Sequence, residues 1–204
     1  INTQTMSKLP EIRFKSSWLL APIIKSYVEA QEWDILPDED LKNSIEEVAK
    51  TWTTSGEQIL KGICEITGLE FYSNIIDVYL ALGYKGGISD PLVISSQVRD
   101  KKFLSLLTHE ILHRLLTDNT KKIDVGTIWE KMFPDVSSRK VRNHIVLHAI
   151  HKELLLSVLN DEEELKRIIA FDQKFEPYKK AWDIVEEKGH KVIIDKFKSF
   201  YINN

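Results

Sequence analysis

Apolar positions along the chain recur with two different periods. From about Lys15 to Glu32, Leu19, Leu20, Ile23, Ile24 and Tyr27 are spaced three or four apart, which predicts a helix opened or interrupted by Pro22. After a break at Pro37 and Asp38, a longer helical pattern begins at Asp40 and Leu41. It runs through Ile45, Val48, Trp52, Ile59, Leu60, Ile63 and Ile66, with a bend expected near Ser55 and Gly56 and a stop at Gly68. The period then shortens. Phe71 to Leu82, FYSNIIDVYLAL, is rich in β-branched and aromatic residues, GYKGG reads as a turn, and Pro91 to Ser96, PLVISS, reads as a second short strand. An antiparallel sheet of two to four strands is expected.

Helical spacing returns from Val98 to Asp118. It weakens between Lys121 and Arg142, where Ile128, Trp129 and Phe133 are the expected anchors before a break at Pro134 and Asp135. It is strong again from Asn143 to Leu159, with Asn143 or Ser138 as the candidate cap. Helices are also expected from Asp161 to Asp172 and from Pro177 to Phe200, punctuated by Gly189. Tyr178, Trp182, Val185, Val192 and Ile193 would there form an amphipathic wrapping layer. The pattern as a whole predicts an α+β fold, mostly helical, with its small antiparallel sheet placed before the helix at 98–118. One domain is expected over 1–204: a helical part to residue 70, a sheet with helices over 71–159, and C-terminal helices over 160–204. INTQT at 1–5 is set aside, with Met6 as a candidate start.

Composition narrows the function classes. The 204 residues are 43% hydrophobic and 29% charged, as expected of a globular chain with one sizeable core. A net charge of −3 provides no basic field, so no nucleic-acid partner is expected. The apolar run WLLAPII at Trp18 to Ile24 is too short to span a bilayer and follows no charged leader, so neither membrane association nor secretion is expected. The one cysteine, Cys64, cannot close an internal disulfide or build a thiolate metal site. That fits a reducing, cytoplasmic setting and leaves histidines and carboxylates as the available metal ligands; Cys64 itself reads as a small buried apolar residue.

Such ligands occur together at Thr108 to Arg114, THEILHR, which contains His-Glu-x-x-His. Residues four apart on a helix lie one above the other, so His109 and His113 can converge on one ion, and imidazole nitrogens suit zinc. Glu110 projects about 100° further around the helix, beside the ion, where it can take a proton from a water activated by the metal. A catalytic zinc needs a third protein ligand and an open position. His144, His148 and His151 form an i, i+4, i+7 stripe in NHIVLHAIHK, and five of the six histidines lie between positions 109 and 151. His148, flanked by Val146, Leu147, Ala149 and Ile150, is the first candidate for the third ligand, with His144 the alternative. His151 reads as a rim or solvent residue. Glu153 would need the helix rotated.

These residues resemble the zincin metallopeptidases, a group built on an HExxH helix, over about Phe71 to Leu159. The resemblance implies a zinc peptidase acting on a peptide or protein substrate. It also implies an antiparallel sheet whose edge strand pairs with that substrate, and PLVISS stands where such a strand is expected. The metzincin extension would require Gly and His where the chain has Leu116 and Asn119. The layout is similar to that of the gluzincins, but with His144 or His148 in place of the downstream Glu. In the implied reaction Glu110 is the general base, while Tyr72, Tyr84, Arg114, His144, His151 and Tyr178 are the candidates for steadying the oxyanion. The alternative expectation is a non-catalytic binding or regulatory protein on the same fold. The oligomeric state is not readable from the chain.

Overall fold

Ile12 and Phe14 alternate with Glu11, Arg13 and Lys15, and this run forms strand β1 (Glu11–Lys15). The computed structural model of the chain describes residues 9–34, 37 and 39–202; the INTQT segment and Met6 lie outside them. Helix α1 (Leu20–Ala30) follows β1, with Pro22 in its first turn, where its missing N–H leaves no helical bond unmade. Helix α2 (Glu39–Thr67) continues through Ser55 and Gly56. Gly56 is there for space: an added Cβ would collide with the indole of Trp52. Gly68, at φ +70°, ends the helix in the left-handed conformation that glycine adopts most easily.

Strands β2 (Ile75–Ala81), β3 (Gly87–Ser89) and β4 (Leu92–Ser95) complete a four-stranded sheet in the order β1-β2-β4-β3. The sheet is mixed, which corrects the antiparallel expectation. β1 pairs parallel to β2 and β2 parallel to β4, and only β3 and β4 are antiparallel. β1 lies within the part expected to be helical, 1–70. As a five-residue edge strand it has just two inward apolar side chains, too few to make a periodic signal. PLVISS does not lie at the sheet edge. All four residues of β4 are buried between β2 and β3, as expected of an unbroken apolar run in an interior strand.

Helix α3 (Asp100–Asp118) comes next, then α4 (Val125–Met132), capped by the Asp124 carboxylate, and α5 (Arg139–Glu153), capped by Ser138. A π-helical turn (Leu154–Val158) extends α5, and α6 (Glu162–Asp172), α7 (Glu176–Lys188) and α8 (His190–Lys198) close the described chain. The protein is thus α+β, mostly helical with a small mixed sheet. None of the helices among the described residues is long and apolar enough to cross a membrane.

Two compact units are present. The first takes the chain to Glu57 together with Ser73–Arg114; the second takes Gln58–Tyr72 and Leu115–Asn204. In the first, the Phe14 ring packs against Trp52 and Phe103 at centroid distances of 6.3 and 5.7 Å, and Ile76, Val78, Leu80 and Ile94 fill the sheet face. In the second, α5 is the central helix. Ile145 to His151 are buried without interruption, and α7 and α8 pack on it through Trp182, Val185, Ile193 and Phe197. Val192, expected in that wrapping layer, is instead 63% exposed. Cys64 is half-buried, and burial, reinforced by Glu70 and Glu65, pushes its thiol up to about 11, so it stays protonated and unreactive near neutral pH.

Candidate metal centre

Helix α3 buries Phe103, Leu107, Ile111 and Leu115, a stripe at four-residue spacing that fixes the rotation of the helix. His109 and His113 stand off that stripe, half-buried, one turn apart. Their rings meet edge to face at 74° with centroids 4.9 Å apart, so the i, i+4 spacing does bring the two imidazoles together. One residue along, Glu110 is only 7% exposed. Its carboxyl is pushed up from 4.5 to about 7, and burial is the cause.

Glu110 lies beneath the edge strand β3. A Cβ at Gly87 would fall 2.7 Å from Glu110 Cγ and 2.8 Å from its Oε1, so any larger residue at 87 would have to displace the carboxylate. This contact leaves no periodic trace in the sequence; the only local signal is the last glycine of GYKGG. Arg114, at the end of the motif, pairs with Asp90 at 3.0 Å.

On α5 the three histidines have different surroundings. The Nδ1 of His144 lies 2.7 Å from the carbonyl oxygen of Lys140, which can only accept, so Nδ1 carries the proton and Nε2 keeps the lone pair. A metal ligand of this kind needs that tautomer. His144 is 6% exposed, its ring lies 4.5 Å from that of Tyr178, and burial lowers its pKa, favouring the neutral form.

His148 is packed as a core residue. It is 1% exposed and stacked on Trp182 at 4.3 Å and 14°, with its Nε2 3.6 Å from the Asp172 carboxylate. Trp182 Nε1 donates to the same carboxylate at 2.9 Å. His151 corrects the expectation of a rim residue: it is 3% exposed, and burial pushes its pKa down to about 4. Glu153 is engaged elsewhere, accepting from Ser157 Oγ at 2.7 Å and meeting His190 Nε2 at 2.8 Å.

His109 and His113, on the same turn of α3 as the buried Glu110 carboxylate, offer imidazole nitrogens of the kind that suits a borderline divalent cation. No protein-family model, curated protein or solved structure matches the chain.

Proposed function

We propose that the chain is a zinc-dependent hydrolase, a zincin-like metallopeptidase in which His109, His113 and His144 hold the metal and Glu110 is the general base. The observation that carries the reading is the single turn of α3 that sets two imidazoles 4.9 Å apart and buries a carboxylate beside them. Burial raises the Glu110 carboxyl to about 7, and a base poised near neutrality is what proton transfer at pH 7 requires. His144 is preferred to His148 because its bond to the Lys140 carbonyl sets the tautomer that carries the lone pair on Nε2. His148 instead sits between Trp182 and Asp172.

When bound, zinc supplies Lewis-acid activation, lowering the pKa of a water towards about 7. Glu110 takes the proton from that water as its oxygen adds to the scissile carbonyl, and delivers it to the amide nitrogen as the C–N bond breaks. Gly87 keeps the space above Glu110 free, so the carboxylate can stay beneath β3 while it does so. Burial of His144 lowers its pKa, which favours the neutral ring a metal ligand requires.

Hydrolysis of a peptide library by the zinc-loaded chain and by Glu110→Gln tests the reading. Cleavage by the parent, and its loss in a variant that retains zinc, is the expected result. A parent that binds zinc stoichiometrically and cleaves nothing in the library overturns the peptidase reading.

A further inference from the structure

Unit two carries a row of aromatic rings that the fold does not use to build its core. Phe171 and Phe175, at the end of α6 and the cap of α7, are 52% and 45% exposed. They lie with centroids 5.5 Å apart, Phe175 lies 5.9 Å from Tyr178, and Tyr178 lies 4.5 Å from His144. The row is therefore continuous from an exposed phenylalanine to a proposed metal ligand. A cation sits at each end. Lys140 Nζ is 4.9 Å from the Tyr178 ring centroid, and Lys174 Nζ is 5.5 Å from that of Phe171.

We propose that Phe171, Phe175 and Tyr178 form a recognition platform for a peptide substrate in which an aromatic side chain is flanked by acidic ones. Exposed rings at this spacing offer tilted and edge-to-face contacts to a third ring, as in the pairs already present. The two ammonium groups select what accompanies the ring. They would pair with carboxylates on either side of it and repel a basic neighbour. The inference rests on the hydrolase reading in one respect only, taking the Tyr178–His144 contact to mark the end of the platform nearest the chemistry.

The test is a binding measurement, so that it does not depend on turnover. Fluorescein-labelled, C-terminally amidated peptides with Asp-Phe-Asp, Asp-Ala-Asp or Lys-Phe-Lys between glycines are titrated with the full chain, zinc-loaded and metal-stripped, and anisotropy is read. We expect the Asp-Phe-Asp peptide to bind about tenfold or more tightly than either of the others. Phe171→Ser with Phe175→Ser should abolish the Phe over Ala preference with zinc content unchanged. Because both rings are exposed, the double variant should fold. Lys140→Glu with Lys174→Glu provides a second arm and should reverse the Asp over Lys preference.

Equal binding of the Phe and Ala peptides by the parent, or a preference that survives the double serine variant, overturns the proposal. If zinc binding and cleavage are absent but the Phe preference is present and removed by the variants, the platform stands and the hydrolase reading falls. If the parent cleaves peptides with no such preference, the reverse holds.

Discussion

Replacing Glu110 by Gln should make the metal-stripped protein more stable, by an amount that grows with pH. In the folded chain the carboxyl titrates at about 7, against 4.5 ordinarily, because burial disfavours the charged form. A carboxyl raised in this way adds to stability fully below its unfolded value, and the contribution is lost as pH rises through the folded one. Glutamine has nearly the same shape and no charge to desolvate, so it escapes that loss. The shift of 2.5 units, from 4.5 to about 7, converts at about 1.4 kcal/mol per unit to about 3 kcal/mol by pH 8, and to less than about 1 kcal/mol at pH 5. For a chain of this size about 3 kcal/mol moves the melting temperature by roughly 6–12 °C. The assay is thermal denaturation of parent and Glu110→Gln in chelator at pH 5 and pH 8. A constant offset between the two proteins could come from an unmatched amide, so the change in offset with pH is the quantity that counts. A difference that does not grow between pH 5 and pH 8 would refute the assignment of Glu110 as a carboxylate ionised against its burial.

Gly87→Ala forces a Cβ to within 2.7 Å of Glu110 Cγ. It should leave zinc content intact while cutting peptide hydrolysis about 100-fold, as a displacement near 1 Å of a catalytic group does; unchanged turnover would count against the placement of Glu110. His151, held neutral with a pKa of about 4 by burial, contributes stability above pH 6.5 that is lost as pH falls through 4. His151→Gln should therefore flatten the fall in urea stability between pH 7 and pH 4 by about 3 kcal/mol, and an equally steep fall in the variant argues against a buried neutral ring. Trp182→Phe keeps a ring against His148 but removes the donor to Asp172, and should cost about 1–2 kcal/mol in denaturant titration. A neutral effect would mean that the bond contributes nothing.

What could be read from the chain divides by sequence distance. His109, Glu110 and His113 lie within five residues on one helix, so helical geometry alone brings the two rings together. The α5 stripe was equally visible, but choosing among its members was not possible from spacing. His144 differs from His148 through the Lys140 carbonyl, and His148 differs through Trp182 and Asp172, 34 and 24 positions away. His151 reads as a rim or solvent residue from the sequence, whereas Ile145 to His151 are all buried. For the sheet, the class was legible and the pairing was not. PLVISS is an uninterrupted apolar run, the mark of an interior strand, and β1 supplies only Ile12 and Phe14 as apolar positions. The contact between Gly87 and Glu110 joins the start of β3 to a helical residue 23 positions on, and no periodicity encodes it.

The central claim is that three particular histidines hold one ion, and cobalt(II) titration of the metal-stripped chain tests it most directly through the visible d–d absorption of a tetrahedral site. One equivalent should give that absorption in the parent and in His148→Ala, and none in His109→Ala, His113→Ala or His144→Ala. A parent that shows no stoichiometric absorption, or a spectrum that survives His144→Ala and vanishes in His148→Ala, would contradict the account.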